Sequence, residues 1–448
     1  MLKDYEKKAF GLWSAILLGI GSMVGAGIFI VIGQAGSIAG NIVWISFVFG
    51  GLAAVLSGYS LSKLAIAYPS RGGIVEYLVQ GYGEGVFSGS AGILFYFSQL
   101  IAIAAVAKSF GAYAVTIMPI NVIGEDLFAV GIVLLFIVIN LIGTALVAKL
   151  ENIIVLIKLS VLVFFSVVAL FYIDPQRLSV SDMPPINDMF FAVGLTFFAY
   201  QGFSVITNTV EDMENPQSTM MRSMLLAIGL VGLLYIITSL AVLGNLPLDK
   251  VIAAKDYALA EAAKPIFGQW GFTIMALTAL LATASAINAT LYAATEIGYT
   301  LAKEGSLPKV YTYNIHSSYR GLIISGLFIL PMILFLNLSQ VTTIAALVVL
   351  IIQGLTHIGH LFRIKETGAS RLLVIGAILS MFSIAALTLY YTSHHAMPMI
   401  AMYILSAFAL AFLIEVGLRL FTKRVIKKQI PTGVLKHIEQ DIKEFIGE

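Results

Sequence analysis

A single lysine lies within one of the most apolar stretches of the chain. Lys158 occurs in ENIIVLIKLSVLVFF, about two helical turns into a predicted membrane-spanning helix. Desolvation there disfavours the charged form, so the side chain is suited to gain and lose a proton. A lysine near a membrane surface can instead extend its ammonium to the lipid headgroups. Because Lys149 and Glu151 already mark that surface, we favour a functional role for Lys158.

A second unusual feature is a cluster of glycines in the stretch LLGIGSMVGAGIFIVIGQAG. Its first half contains Gly19, Gly21, Gly25 and Gly27. Small residues let membrane helices pack closely, but a second weak point follows in FFAYQGFS, around Gly202. Unwound backbone at membrane depth is tolerated only where it lines a cavity or binds a ligand. Freed N–H groups attract an anion and freed carbonyls a cation, so the two segments predict a site for a zwitterion.

The composition places both features in a membrane. Of 448 residues, 59% are hydrophobic and 11% are charged, which a soluble protein of this size could not cover with polar groups. The chain has no cysteine, and its net charge of +2 gives no indication of nucleic-acid binding. The charged N-terminus does not resemble a cleaved signal peptide. Neither a cofactor nor a metal site is predicted, and the absence of H-E-x-x-H, P-loop and G-x-S-x-G motifs argues against an enzyme.

Twelve stretches are long enough to span a bilayer, which requires about 20 apolar residues. They are residues 12–36, 40–67, 86–117, 127–147, 152–173, 188–211, 223–245, 269–301, 321–337, 341–362, 371–391 and 398–421. The ninth and tenth form a predicted hairpin that turns around Leu338–Gln340. In the connection before the eighth span, Asp256–Lys264 is predicted to be a short amphipathic helix at the interface.

Basic residues predict the orientation of the spans. With a cytoplasmic N-terminus, inner loops and tails carry 20 of the 26 Lys and Arg residues, and outer loops carry four. Lys108 and Lys158 are the remaining two, and both lie inside spans. The positive-inside rule therefore predicts that both termini are cytoplasmic.

The positions of the two weak points predict an internal repeat. The first and sixth spans are corresponding members of two five-helix halves that would be inverted relative to each other, and interrupted helices at such places indicate a transporter site. The predicted units are a first repeat with the N-terminus at 1–173, a second repeat at 174–365, helices 11 and 12 at 366–421 and a cytoplasmic tail at 422–448.

Three stretches resemble the amino acid–polyamine–organocation (APC) family. GSMVGAGIF resembles its first-helix signature, FFAYQGFSVITNTVEDMENPQ its sixth helix and acidic inner loop, and ASAINATLYAATEIGYTLAKEGSLP its eighth helix. The likeness covers nearly the whole chain and is closest to archaeal and bacterial proton-coupled, sodium-independent amino acid transporters, which carry a fifth-helix lysine. It implies an all-α integral membrane protein with twelve transmembrane helices, a LeuT-like five-plus-five inverted repeat and interrupted helices 1 and 6.

The resemblance also implies which residues bind the substrate. In the first helix they are Gly21, Ser22, Val24, Gly25, Ala26 and Gly27, and in the sixth they are Phe198, Ala199, Gln201 and Gly202. Phe198 corresponds to an aromatic residue that covers the bound amino acid, although an aromatic in a span is more often a packing residue. Many members have Glu or Asp where this chain has Ser204, so a strongly cationic substrate is not expected.

We expect the protonated Lys158 to donate to first-span carbonyls near Gly21 and to a hydroxyl of the eighth span. Ser285 is the predicted hydroxyl, with Thr283 as the alternative. For Lys108 two interpretations are equally good: it lines an outer vestibule, or it extends its ammonium to the lipid headgroups.

The functional prediction is a plasma-membrane importer that couples broad, neutral amino acid uptake to protons by alternating access. The alternative within this class is an amino acid exchanger without net ion coupling, in which Lys158 stays charged. A channel or signalling receptor is the alternative from another class, but inverted, interrupted helices argue against it. The expected partners are the amino acid, protons and membrane lipid.

Overall fold

The structure is a computed structural model that describes residues 11–118, 124–142, 145–178, 185–395 and 397–422. Within these ranges, the side chains at 26, 145–152, 186, 304 and 422 are not described. The expected charged N-terminal head, nearly all of the expected tail, and the side chains of Ala26, Lys149 and Glu151 therefore lie outside the described residues.

The described chain is almost entirely helical. Its α-helices are α1 (Leu12–Ala39), α2 (Val43–Ala67), α3 (Ile74–Tyr82), α4 (Val86–Ile117), α5 (Glu125–Ile142), α6 (Ala145–Leu170), α7 (Ile186–Ala199), α8 (Pro216–Asn245), α9 (Leu248–Ala253), α10 (Ala258–Glu304), α11 (Arg320–Phe335), α12 (Leu338–Phe362), α13 (Ile364–Thr367), α14 (Arg371–His395) and α15 (Ile400–Thr422). Short 3-10 helices cover Gly40–Ile42, Pro175–Leu178, Gln201–Asp212 and Lys309–Thr312, and β1 (Asn314–Ile315) pairs antiparallel with β2 (Ser318–Tyr319).

The prediction of an all-α membrane protein is confirmed. Ten described helical stretches are long and apolar enough to cross a membrane, the first of which runs from Gly27 in α1 to the end of α2; the preceding part of α1, Leu12–Gly25, and α11, Arg320–Phe335, are shorter and also apolar. Each of the twelve predicted spans coincides with a helix or, in the sixth, with an α-helix followed by a 3-10 helix. The short helix α3 was not predicted, because its 9 residues are too few to span a bilayer.

The first span is a continuous α-helix, which corrects the expected interruption at residues 21–27. Its glycines permit close approach of neighbouring helices instead. A Cβ built on Gly25 would lie 3.0 Å from the Ala286 Cβ, and one built on Gly27 would lie 2.9 Å from the Ala199 Cα. Since these neighbours pack directly against the backbone, the glycines allow packing without loss of helical structure.

The sixth span does change at the predicted weak point. α7 ends at Ala199, and after Tyr200 the chain continues as a 3-10 helix over Gln201–Asp212. A 3-10 segment of this length inside a span is unusual, because its hydrogen bonds have poorer geometry than those of an α-helix. The interruption is therefore a change of helix type rather than an open loop.

Two other boundaries refine the predicted spans. Gly268 has φ 63° and ψ −157° and divides α10, so that the predicted interfacial helix precedes the eighth span. The turn between α11 and α12 lies before Leu338, slightly earlier than predicted. Asn337 begins α12 through a capping box with Gln340, which satisfies backbone N–H groups at the helix start.

The candidate segments lie at the centre of the helix packing. α1 packs against α7, α8, α10 and the Gln201–Asp212 helix. α2 packs against α7 and α8, and α4 packs against α10 and α12. α14 packs against α2, α7 and α12, and α15 packs against α4 and α12.

Candidate functional site

The first-span and sixth-span segments meet where glycines allow their backbones to touch. A Cβ on Gly202 would lie 2.5 Å from the Met23 backbone nitrogen and 2.6 Å from the Ser22 Oγ. One helical turn further along α1, Gly27 faces the backbone of Ala199. The structure thus brings together four of the predicted site residues, Ser22, Gly27, Ala199 and Gly202.

Phe198 lies at the end of α7, directly before this contact. It is 6% exposed, and Ala199 is 1% exposed. The next residue, Ala199, makes the contact with Gly27. Val24 is buried on α1, and Gln201 lies in the adjoining 3-10 helix.

A tyrosine that sequence reasoning missed joins the two segments. The Tyr235 hydroxyl on α8 lies 2.7 Å from the Met23 carbonyl oxygen and 3.1 Å from that of Ala199. Tyr235 is fully buried. The only sequence signal was a tyrosine within an apolar span, and the chain contains 19 tyrosines. Its hydroxyl fixes α1 and α7 relative to each other at the depth of the candidate site.

Lys158 reaches the first span as predicted. Its Nζ donates to the Gly21 carbonyl at 2.9 Å, and the side chain is 0% exposed. Val155, one turn earlier on α6, packs against Gly21. A buried ammonium in a span is expensive unless polar groups surround it, and the Gly21 carbonyl supplies one of these groups.

The eighth span also approaches Lys158 at this point. A Cβ on Gly25 would lie 3.5 Å from the Lys158 Nζ, 3.0 Å from the Ala286 Cβ and 3.8 Å from the Ala282 carbonyl oxygen. Ser285 lies in this segment of α10 and is 4% exposed.

Thr283, the alternative hydroxyl, bonds within its own helix instead. Its hydroxyl donates to the Ala279 carbonyl at 2.7 Å. This bond uses the Thr283 proton and leaves its oxygen able to accept from an ammonium, so it does not distinguish Thr283 from Ser285 as the eighth-span hydroxyl.

Lys108 has a partner that neither sequence interpretation included. It forms an ion pair with Asp126, and its side chain is buried whereas that of Asp126 is partly exposed. Asp256 lies near this pair and within 3.5 Å of the Gln34 amide nitrogen. Burial raises the pKa of the Asp256 carboxyl above its ordinary value, against the opposing effects of Lys255, the Gln34 hydrogen bond and Lys108. These groups form a charged cluster at one end of the bundle, away from the α1–α7 contact.

Among the described residues, no group of three or more His, Asp or Glu side chains could hold a metal ion. The polar groups of the site are instead backbone carbonyls, one lysine, hydroxyls and an amide. Such groups can bind a small polar solute through hydrogen bonds and one positive charge.

A family model described as amino acid permease matches residues 10–414. The chain belongs to the amino acid–polyamine–organocation family. This APC-family chain is 38% identical to an inner membrane transport protein of Escherichia coli (strain K12) over 348 residues, which cover 77% of this chain and 81% of that protein. It is 33% identical to an uncharacterized protein of Methanocaldococcus jannaschii over 393 residues, or 87% and 90% of the two chains.

A more distant relative is a serine/threonine exchanger of Bacillus subtilis. The two are 25% identical over 324 residues, which cover 70% of this chain and 73% of the exchanger. The APC-family chain is a membrane transporter, not an enzyme, and the family supports amino acid transport.

Proposed function

We propose that this transporter imports neutral amino acids together with protons by alternating access. The observation that carries the proposal is the hydrogen bond from the buried Lys158 ammonium to the Gly21 carbonyl, inside the first-span segment. Loss of the proton would remove the charge and one of the three N–H donors, and would therefore weaken the bond to that carbonyl. Protonation and the geometry of α1 are thereby linked.

The helix packing supports the five-plus-five inverted repeat, 1–173 and 174–365. In this repeat, α1, α2, α4 and α6 correspond to α7, α8, α10 and α12, respectively. The α1–α8 contact therefore corresponds to the α7–α2 contact, and the α4–α12 contact corresponds to the α10–α6 contact. All four contacts are present. The pairs α2–α8 and α4–α10 would map onto themselves, and they are also present. Helices α14 and α15 then stand outside the repeat.

The substrate is proposed to bind between the segments at Gly21–Gly27 and Phe198–Gly202, which carry the predicted residues. Backbone groups of the 3-10 segment, whose hydrogen-bond geometry is poorer than that of an α-helix, suit the amino and carboxylate groups shared by all amino acids, and the Phe198 ring would exclude water. Ser204 donates to the Gln201 carbonyl and contributes no charge, which fits neutral substrates. Broad selectivity follows from recognition of the common groups.

In the proton-coupling step, Lys158 is the group that changes charge, and Ser285 is its proposed eighth-span partner. We further propose a plasma-membrane location with both termini in the cytoplasm. Inward proton flow would then drive uptake. One proton entering down 100 mV contributes about 2.3 kcal/mol, and one pH unit adds about 1.4 kcal/mol, so accumulation is bounded at several hundred-fold.

The experiment measures proton flux and amino acid flux together in sodium-free proteoliposomes. For the wild type, we expect uptake to rise as external pH falls. Lys158→Ala should lose this pH dependence because it has no titratable group. Lys158→Arg should also lose proton-driven accumulation, because a guanidinium stays protonated in proteins. Lys264→Arg, in the interfacial part of α10 and about half exposed, is the matched control and should behave as wild type.

An exchanger without net ion coupling is the second candidate, and the similarity to a serine/threonine exchanger favours it. Exchange requires amino acid inside the liposomes and proceeds without proton flux. If the wild type takes up substrate only into preloaded liposomes, or if Lys158→Arg accumulates substrate with unchanged pH dependence, the proton-coupled proposal is rejected.

A further inference from the structure

A chain of buried hydrogen bonds runs from α12 and α2 to the start of the 3-10 helix. His357 Nε2 lies 2.9 Å from the Ser57 Oγ, and that hydroxyl donates to the Gln353 Oε1 at 2.8 Å. Gln353 Nε2 then donates to the Gln201 Oε1 at 3.2 Å. Ser57, Gln353 and His357 are each 0% exposed.

The donors and acceptors fix the direction of this chain. Ser57 has one proton, which it gives to the amide oxygen of Gln353. The Ser57 oxygen must therefore accept from His357, whose Nε2 carries the hydrogen. Gln353 uses its amide N–H on Gln201, so the Gln201 oxygen is occupied and its own Nε2 is directed elsewhere.

The Gln201 Nε2 is buried and has no hydrogen-bond partner among the described residues. A buried donor without a partner is costly, which makes it a candidate for ligand recognition. Gly202, the next residue, packs directly on Ser22 and Met23 of the first-span segment. The unpaired Gln201 Nε2 therefore belongs to a residue next to the contact between α1 and the 3-10 helix.

We propose that the Gln201 Nε2 donates to an acceptor oxygen of the transported solute, and that Gln353, Ser57 and His357 are positioning residues for it. The inference rests on the proposed substrate site but does not depend on proton coupling. The acceptor is either the carboxylate common to all amino acids or a side-chain oxygen. A rigid, pre-oriented amide reduces the ordering penalty of binding.

A matched pair of hydrogen bonds in the same two helices provides the control. One turn further along α2, the buried Ser60 hydroxyl lies 2.7 Å from the His360 Nδ1. His360 in turn contacts the Thr367 hydroxyl at 2.8 Å, and among the described residues it has no hydrogen bond to Gln201. Ser57 and Ser60 thus share helix, burial and a histidine partner, and differ in their connection to Gln201.

The test measures dissociation constants of radiolabelled L-alanine and L-serine for the purified full chain. Gln201→Met should weaken binding roughly ten- to a hundredfold, the range of a hydrogen bond to a charged group. Ser57→Ala should weaken it several-fold, Ser57→Thr should retain affinity, and Ser60→Ala should match wild type. If Gln201→Met weakens the binding of both amino acids equally, the acceptor is the carboxylate. If it weakens the binding of serine alone, the acceptor is the side-chain hydroxyl.

A double-mutant cycle separates positioning from general stability. In the Gln201→Met background, Ser57→Ala should weaken binding no further, because the group that it orients is gone. Gln353→Met tests the same connection from α12 if Ser57→Ala gives too little folded protein. Equal effects of Ser57→Ala and Ser60→Ala, or an undiminished effect of Ser57→Ala in the Gln201→Met background, would overturn the inference. If wild type binds neither amino acid, the proposed substrate class fails instead.

Discussion

The contact between Gly27 and α7 is a sensitive test of the α1–α7 geometry. A Cβ at Gly27 would lie 2.9 Å from the Ala199 Cα and 2.8 Å from the Tyr235 hydroxyl oxygen. The nearest atom is the Ala199 carbonyl oxygen, which would lie 2.4 Å from the new Cβ, so in Gly27→Ala the backbones must separate by about 1 Å to reach ordinary contact. Overpacking of this kind typically costs about 1–3 kcal/mol. Alanine in a helix interior gains about 0.5–1 kcal/mol over glycine, which leaves a net loss of up to about 2.5 kcal/mol.

The matched control is Gly229→Ala in α8, where a Cβ would meet no atom within 4 Å. It should gain helix stability without any clash. Thermal unfolding of the purified variants and uptake into proteoliposomes are measured in parallel. We expect Gly27→Ala to lower the apparent Tm and to reduce uptake at least tenfold, equivalent to about 1.4 kcal/mol, while Gly229→Ala retains both. If Gly27→Ala matches Gly229→Ala in both measurements, the close backbone contact has no role in transport.

Two further substitutions test contacts that the sequence did not predict. Tyr235→Phe removes a hydroxyl within hydrogen-bonding distance of carbonyls on both α1 and α7. We expect the uptake rate to fall several-fold with only a small change in Tm. An unaltered uptake rate would contradict a role of this hydroxyl in fixing the two helices. Asp126→Asn leaves the buried Lys108 ammonium without its carboxylate, and should lower the apparent Tm by several degrees. Adding Lys108→Met should recover stability, because it removes the uncompensated charge, and failure to recover would show that the ion pair is not the cause.

The sequence predicted the features that depend on the length of an apolar stretch or on the chemistry of a single residue. The apolar stretches located the helices, and the rarity of a lysine within a span identified Lys158 and its region of contact on α1. The weak point around Gly202 likewise located the interruption of the sixth span, but not its form as a 3-10 helix. Each of these features follows from the local physics of a membrane helix.

Features that depend on how helices rotate against one another were not predictable. Tyr235 and Ser57 are ordinary residues of apolar spans until their partners on other helices are known. For the first span, the glycines alone do not distinguish an unwound helix from a closely packed one. The positions of Ala286 and Ala199 decide between these possibilities, and they are set by tertiary packing.

The two polar connections to the site occupy corresponding places in the proposed repeats. Lys158 on α6, the fifth helix of the first half, donates to the Gly21 carbonyl of that half's first helix. Gln353 on α12, the fifth helix of the second half, donates to Gln201 at the break in that half's first helix. The two donors differ in chemistry, because an ammonium can lose its proton and an amide cannot. Under the proposed coupling, loss of the Lys158 proton would weaken the bond to α1, because the charge and one of three donors are lost, while the bond from Gln353 to the 3-10 helix is unchanged. This difference offers a physical reason why one half could move against the other during transport. It arises because the fifth helix of the first half carries a lysine at this contact and the fifth helix of the second half carries a glutamine.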